Sequence, residues 1–170
     1  IGSKINFDLE NEVLATKKYI IKNIDERFFD DVTVGDAIDG LPSPTESGKV
    51  SNLVPKNHFQ KFLSNPNGTT TNHNATNHSK FVIERMKKVL IDENFTVLDE
   101  NIKSIHSGSY GRMNPNTVSA TITTRFDTPS GGRFTHPFEN RTITPREAAR
   151  IQSFPDSFEF IGSKTSIHKQ

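Results

Sequence analysis

The most informative stretch of this sequence is Arg141-Thr142-Ile143-Thr144-Pro145-Arg146-Glu147-Ala148-Ala149-Arg150-Ile151-Gln152-Ser153-Phe154-Pro155-Asp156-Ser157-Phe158-Glu159-Phe160. Thr144 and Glu147 have the T-x-x-E spacing of a capping box, in which each side chain accepts a hydrogen bond from the other residue's backbone N–H. Pro145 fits the first helical position, where a missing N–H costs nothing. Pro155 disfavours helical geometry at the residue before it. The stretch therefore predicts a short helix that begins at Pro145 and ends near Ser153.

Two arginines lie on one face of this predicted helix. Arg146 and Arg150 are four residues apart, which is about one turn. Ala148, Ala149 and Ile151 can supply the contact with the core. We therefore expect both guanidinium groups to face a partner or solvent, so that their removal would leave the stability of this domain nearly unchanged. A capped surface helix followed by an aromatic plug is the simpler alternative.

The complete pattern, R-x-(L/I)-T-x-R-E-x-x-R-x-Q-x-F-P-D-x-F, resembles the ninth conserved motif of the DNA cytosine-5 methyltransferases. The resemblance continues through Tyr110-Gly111-Arg112, Thr121-Ile122-Thr123-Thr124, Gly131-Gly132, His136-Pro137, Gly162-Ser163-Lys164-Thr165-Ser166 and Lys169-Gln170. Further upstream, Thr33-Val34-Gly35-Asp36-Ala37-Ile38-Asp39-Gly40-Leu41-Pro42 is similar to the element that opens the target-recognition region in many members. The resemblance is strong at the C-terminal end and weak in the middle of the chain.

Members of this family flip a cytosine out of the duplex, attack it with the cysteine of a Pro-Cys dipeptide, and transfer a methyl group from S-adenosylmethionine to C5. This chain has no cysteine, no Glu-Asn-Val element, and a single glycine pair, Gly131-Gly132, with no helix pattern behind it. The resemblance therefore implies the DNA-recognition portion of such an enzyme, of the restriction-modification kind. Its partners would be double-stranded DNA and the catalytic domain or subunit, which would bind S-adenosylmethionine. The chain alone is expected to be inactive.

The resemblance also implies a fold and a domain organisation. We expect a small mixed α+β target-recognition domain with short strands, long polar loops and a few helices. Residues 1–30 would be a junction from the catalytic domain, 31–140 the target-recognition domain, and 141–170 a hinge motif leading back to the catalytic domain. The alternatives are a small subunit of a naturally split methyltransferase, a non-catalytic DNA-binding module, and an α+β domain whose motif is coincidental.

The positive charge is unevenly distributed along the chain. The formal net charge is +1, but 112–150 contains six Arg, no Lys and three acidic residues. Guanidinium groups bind phosphates in a bidentate way, whereas ammonium groups act as point charges. The Arg-only stretch therefore favours nucleic acid as a partner, although clustering by chance is the alternative.

An alternating pattern predicts a strand over 119–126. Its apolar face comprises Ala120, Ile122 and Phe126, and its polar face comprises Ser119, Thr121, Thr123 and Arg125. Donors on such a face recur at about 7 Å, close to the spacing of phosphates along a DNA strand. The resemblance assigns DNA binding to Thr121, Thr123, Arg125 and Arg133. A half-buried edge strand with polar residues outward is the alternative. The resemblance assigns the joint with the catalytic domain to Arg141, Arg146, Glu147, Arg150 and Gln152.

Capping signals predict two further helices. One runs from Thr33, as N-cap, through Ile38, and the other covers 80–91 with Ser79 as its N-cap. In the second helix, the apolar stripe comprises Val82, Met86, Val89 and Leu90. Short strands are expected at 95–98 and 102–105. Within 1–30 a short helix is possible around 14–24, although the resemblance implies a junction strand or linker.

Residues 43–79 are rich in Ser, Thr, Asn, Gly and Pro and are expected to form a long loop. His73 and His78 suggest a metal site, but no carboxylate or cysteine lies near them in the sequence, so hydrogen bonding within the loop is favoured and no metal is expected. The chain has 32% hydrophobic residues and a mean hydropathy of −0.59, which predicts a modest core. No apolar run is long enough to span a membrane, and a cytoplasmic protein is expected.

Overall fold

The computed structural model describes residues 9–24, 31–66, 68–98, 102 and 106–169. It divides the chain into two compact units, residues 1–31 and 32–170. The first unit carries the 16-residue helix α1 (Leu9–Ile24). Because this segment has no Gly or Pro, nothing in it interrupts a helix. The helix that the sequence suggested around 14–24 is confirmed, and the expectation of a strand is wrong for 9–24. The rest of 1–30 lies outside the described residues.

The described part of the second unit contains five short α-helices, each preceded by a side-chain N-cap. They are α2 (Val34–Ile38), α3 (His58–Leu63), α4 (Lys80–Lys88), α5 (Pro145–Ile151) and α6 (Lys164–Ile167). The helix predicted after Thr33 is confirmed as α2. Thr33 and Asp36 form a reciprocal capping box there, and Gly40 follows the helix with a φ of 87°.

Helix α4 begins after Ser79 as predicted but ends at Lys88, before the predicted end at residue 91. Met86 and Val89 are fully buried, whereas Leu90 is 64% exposed. The assignment of Leu90 to the apolar stripe is therefore wrong. Val89 already has extended backbone angles, so Leu90 leaves the helical periodicity.

Helix α3 lies inside the segment that the sequence predicted as a continuous loop. Its N-cap is Asn57, whose side chain accepts a hydrogen bond from Gln60 N at 2.8 Å. Gln60 is buried and its amide donates to Asp36 O and Asp39 O, at 2.9 and 2.7 Å. The bonds hold α3 against α2.

The described residues form no strand. They contain four isolated bridges, Val50–Thr70, Ile91–Arg112, Arg112–Thr135 and Thr135–Thr142. The strand predicted at 95–98 is wrong, since Phe95–Val97 is a 3-10 helix. The strand predicted at 119–126 is also wrong because no neighbouring segment pairs with it, and 124–127 form a turn. Of the third predicted strand only Ile102 is described. The β component of the α+β prediction is therefore not confirmed.

Two apolar clusters form the core of the second unit. The first joins α2, α5 and the segments between them, and the second lies beneath α4. The first consists of Val34, Ala37, Ile38, Met113, Phe126, Phe134, Ile143 and Ala148, and the second of Met86, Val89, Leu98 and Tyr110. No described helix is both long and apolar enough to cross a bilayer.

Candidate functional site

Helix α5 forms as the sequence predicted. The Thr144 hydroxyl accepts from Glu147 N at 3.1 Å, and the Glu147 carboxylate accepts from Thr144 N at 2.7 Å. Pro145 occupies the first helical turn, and Gln152 is the C-cap. Each residue from Arg141 to Arg150 is buried. The helix is therefore an internal element of this unit.

The Glu147 carboxylate, at the start of α5, is contacted by the charged or polar side chains around it and is 1% exposed. Arg141 donates to its two oxygens at 2.8 and 2.7 Å, which is a bidentate ion pair. Burial alone would raise the pKa of Glu147, but the Arg141 contacts outweigh it and lower that pKa. Burial opposes the charged form of Arg141 as well, yet the bonds to Glu147 and Glu139 raise its pKa. The pair therefore stays ionised.

His136 contacts the same carboxylate, with its Nε2 3.6 Å from Glu147 Oε1. Its Nδ1 accepts from the backbone N–H groups of Phe138 and Glu139, at 3.2 and 3.1 Å. The ring proton must therefore sit on Nε2, which faces the carboxylate. Burial lowers the pKa of His136 although Glu147 acts to raise it, so the ring is neutral at pH 7.

Arg146 and Arg150 also point inward. Arg146 is fully buried and donates to three backbone carbonyls, those of Thr71 at 2.9 Å, Pro155 at 3.1 Å and Phe158. Arg150 forms a bidentate pair with the buried Asp156, at 2.8 and 2.6 Å. Burial lowers the pKa of Arg146. The expectation that these guanidinium groups face a partner or solvent is wrong, because carbonyls and a carboxylate of this same unit bind them.

A loop that the sequence predicted as unstructured holds the start of α5, and we call residues 70–78 the locking loop. His73 is fully buried, with Nε2 2.6 Å from Pro42 O and Nδ1 3.0 Å from the Thr144 hydroxyl. A carbonyl can only accept, so His73 Nε2 carries the proton and Thr144 donates to Nδ1. Burial lowers the pKa of His73, in agreement with a neutral ring.

Asn72 closes the locking loop onto the end of the motif. Its side-chain amide donates from Nδ2 to Phe160 O and accepts at Oδ1 from Phe160 N, both at 3.0 Å. Its backbone carbonyl accepts from Arg146 N at 3.0 Å. His78 contacts the Thr142 hydroxyl at 3.0 Å. Both histidines are hydrogen-bonded, but the expectation that these bonds lie within the loop is wrong, because the partners are Pro42, Thr142 and Thr144. The described residues contain no group of His, Asp and Glu that could hold a metal ion.

The candidate DNA-binding residues fall in two environments. Thr121, Thr123 and Arg125 are exposed along one segment, which we call the hydroxyl segment (residues 118–125). Arg133 is half-buried, and its Nη1 donates to Glu93 O and Arg112 O at 3.0 and 3.1 Å. The structure therefore brings Thr121, Thr123 and Arg125 together on one segment, whereas Arg133 binds backbone carbonyls of this unit.

The arginine cluster is not a surface patch. Arg112 is buried and donates five hydrogen bonds to oxygens of Met86, Val89, His136, Glu139 and Asn140. Arg141, Arg146 and Arg150 are buried as well, which leaves Arg125 as the exposed arginine of the six. The charge argument from sequence was therefore wrong for four of them, because sequence distance does not show where carbonyl acceptors lie.

The glycine pair has a packing role. A Cβ at Gly131 would lie 2.6 Å from Arg125 O, and one at Gly132 would lie 2.6 Å from the Phe134 ring. Gly131 is the last residue of the 3-10 helix Pro129–Gly131 and Gly132 is its C-cap, so the pair does not follow a strand, and no helix begins behind it. The residues present thus do not fit a nucleotide-type cofactor loop.

Comparison with known proteins gives a consistent picture. Residues 7–170 match the family model described as C-5 cytosine-specific DNA methylase. The type II methyltransferase M.BbvI of Brevibacillus brevis is 38% identical over 109 residues, covering 58% of this chain and 28% of the relative. M.DdeI of Desulfomicrobium norvegicum is 26% identical over 183 positions, covering 98% and 42%. M.AquIB of a Picosynechococcus strain is 39% identical over 94 residues, covering 55% and 61%.

A solved structure of a DNA methyltransferase also matches this chain. The crystal structure of a protein described as a prophage-encoded DNA modification methyltransferase (E. coli) matches with a TM-score of 0.56 and 28% identity. The match covers 78% of this chain and 39% of that one. The chain therefore spans less than two thirds of the length of these relatives.

Proposed function

Because this chain belongs to the C-5 cytosine-specific DNA methylase family, we propose that it is the DNA-recognition portion of a cytosine-5 methyltransferase of the restriction-modification kind. The family uses S-adenosylmethionine as its methyl donor. The whole enzyme would transfer that methyl group to C5 of a flipped cytosine. The catalytic cysteine and the cofactor site would belong to another part of the enzyme, because this chain has no cysteine.

The proposal is carried by the contrast between a rigidly held α5 and the exposed hydroxyl segment. Thr121, Thr123 and Arg125 offer hydroxyl and guanidinium donors to a phosphate backbone. No described carboxylate pairs with Arg125, so its charge is available to a phosphate. These contacts would orient the duplex without reading its sequence.

In this proposal α5 is the joint between the recognition and catalytic parts. Arg141, Glu147, Arg146 and Arg150 would act within this unit by fixing the helix, and not by contacting the catalytic part directly. Gln152 is exposed at the C-terminal end of α5 and lines two surface grooves, both of which also include Ile122. It is therefore the joint residue best placed to contact another part of the enzyme.

A naturally split enzyme is a second candidate, and one observation favours it. The 94 residues aligned with M.AquIB make up 61% of that relative, so a type II methyltransferase chain of comparable length exists. In a split enzyme this chain would be the small subunit and would pair with a separate catalytic subunit. A reading frame that encodes the Pro-Cys motif would distinguish the two cases by its position, within the same gene or in a neighbouring one.

The proposal is tested by measuring duplex-DNA binding and methyl transfer on the purified chain. We expect weak binding with little sequence preference. Since one arginine of the cluster is exposed, log K should fall with log salt at a slope of only about −1 to −2. Tritium transfer from labelled S-adenosylmethionine to DNA should stay at background. Absence of salt-dependent DNA binding, or methyl transfer by the chain alone, would contradict the proposal.

A further inference from the structure

Arg125, the exposed arginine of the hydroxyl segment, lies in a turn whose backbone is bonded at regular intervals. Phe126 N donates to Thr123 O at 3.2 Å, and Thr128 N donates to Arg125 O at 3.0 Å. Gly131 N then donates to Thr128 O at 2.8 Å. Each of these bonds joins residues three apart, as in a β-turn. The backbone of 123–131 therefore sets the place from which the Arg125 side chain extends into solvent.

The far end of this turn is bonded to buried residues. Tyr110 N donates to Pro129 O at 2.7 Å, and the Ser109 hydroxyl donates to Ser130 O at 2.8 Å. Ser109 is fully buried, and Tyr110 is 6% exposed with a φ of 56°, which a bulky residue rarely adopts. Such a conformation persists only where the surrounding contacts hold it. Residues 129 and 130 are therefore fixed against the core.

Gly131 touches the backbone of Arg125 so closely that no side chain fits between them. Its φ is not positive, so its conformation alone does not require glycine. A Cβ at Gly131, however, would lie 2.6 Å from Arg125 O and 3.1 Å from Arg125 Cβ. A backbone carbonyl cannot rotate away as the end of a flexible side chain can. Because 129 and 130 are fixed whereas Arg125 is exposed, the added atom would displace Arg125.

We propose that Gly131 is a positioning residue for the phosphate contact of Arg125. A guanidinium group binds a phosphate best through two parallel N–H···O bonds, so a displaced backbone weakens the contact although the charge is still present. Ser109 acts in the same way from the opposite side, because its hydroxyl holds Ser130 O while Gly131 leaves room for Arg125. This inference rests on the proposed function, since it requires that Arg125 binds duplex DNA.

A double-mutant cycle on the full chain tests whether Gly131 acts through Arg125. The Kd for a duplex oligonucleotide is measured at low salt for the wild type, Gly131→Ala, Arg125→Ala and the double variant. Gly131→Ala should weaken binding by about 3- to 10-fold when Arg125 is present. In the Arg125→Ala background the same substitution should change the Kd by less than about 2-fold, because the contact that it disturbs is already gone.

Ser109→Ala provides a second variant that adds no atom to the turn. It removes the hydroxyl that bonds Ser130 O, so it should weaken DNA binding in the same direction as Gly131→Ala, and again only when Arg125 is present. The urea midpoint of each variant shows whether the chain is folded under the binding conditions. If Gly131→Ala does not fold, the Ser109→Ala cycle decides the question.

Three results would overturn the inference. Equal weakening by Gly131→Ala in both backgrounds would mean that Gly131 acts on the fold or on another contact. Wild-type binding by a folded Gly131→Ala, alongside weakened binding by Arg125→Ala, would reject the positioning role and leave the DNA-binding proposal intact. Wild-type binding by Arg125→Ala would reject both, because Arg125 would then not contact the duplex.

Discussion

The locking loop (70–78) and the hydroxyl segment (118–125) are alike in composition and opposite in role. Both are rich in Thr, Asn or Ser, and together they carry one formal charge, that of Arg125. The locking loop buries Thr70 and His73 and bonds groups as distant as Phe160. The hydroxyl segment bonds nothing distant from Val118 to Thr124 among the described residues. Polar composition therefore does not show whether a segment faces solvent; the position of its hydrogen-bond partners does.

The largest expected difference is between Arg150, in the helix α5 that the locking loop holds, and Arg125 of the hydroxyl segment. Arg150→Ala leaves the buried Asp156 carboxylate without its bidentate partner, and the free energy of unfolding should fall by about 3–5 kcal/mol. Arg125→Ala removes an exposed side chain and should leave it close to the wild-type value. Urea denaturation of both variants measures the difference. Equal stability of the two variants would mean that α5 is not anchored as described.

A second comparison separates the locking loop from ordinary loop residues. Asn72 has a φ of 64°, so Asn72→Gly keeps the backbone conformation and removes the amide that bonds Phe160 twice. We expect a loss of about 2 kcal/mol. Asn77 is exposed in the same loop, and Asn77→Gly controls for added flexibility, with an expected loss under about 1 kcal/mol. Similar losses for the two variants would argue against a specific amide contact.

Acid should destabilise the fold through the two buried histidines that contact the start of α5, His73 and His136. Burial lowers the pKa values of His73 and His136, so the folded chain binds fewer protons than the unfolded chain below about pH 6.5. Their contribution to stability is complete above that pH and is lost as pH falls through the lowered pKa values. The urea midpoint should therefore drop between pH 7.5 and 5.5, and the drop should be smaller in His73→Gln. A constant midpoint would exclude neutral, buried rings.

The sequence predicted the parts of the site that depend on local geometry. The T-x-x-E spacing and Pro145 predicted the start of α5 correctly, because a capping box involves residues three apart. The partners of Arg146 and Arg150 were predicted wrongly. Thr71 O lies 75 residues from Arg146, and Asp156 lies only six residues from Arg150 but beyond the end of the helix, where helical spacing does not place it. A helical face that carries two arginines is typical of a solvated surface, and nothing in the spacing distinguishes it from a face lined by buried carbonyls.

The predictions for the locking loop and for the strand at 119–126 were wrong for related reasons. Asn72 and His73 lie in a charge-free polar run, which is also the composition of an exposed loop. The alternation over 119–126 is that of a strand, but a strand also requires a neighbour, and the described residues provide none. Phe126 is buried and Thr121 and Thr123 are exposed as predicted, but Ala120 of the predicted apolar face is exposed and Ser119 of the polar face is half-buried, so burial does not alternate along the segment.

The smallest effect on stability and the most specific effect on DNA binding are expected at Arg125. The most direct measurement is the salt dependence of duplex-DNA binding for the wild type, Arg125→Ala and Arg125→Lys, together with their urea midpoints. Arg125→Ala should flatten the log K against log salt slope by about one unit, Arg125→Lys should keep the slope, and all three midpoints should agree. An unchanged slope in Arg125→Ala would contradict DNA binding by the hydroxyl segment. A urea midpoint of Arg125→Ala lowered as far as that of Arg150→Ala would contradict the distinction between the buried arginines of α5 and the exposed Arg125.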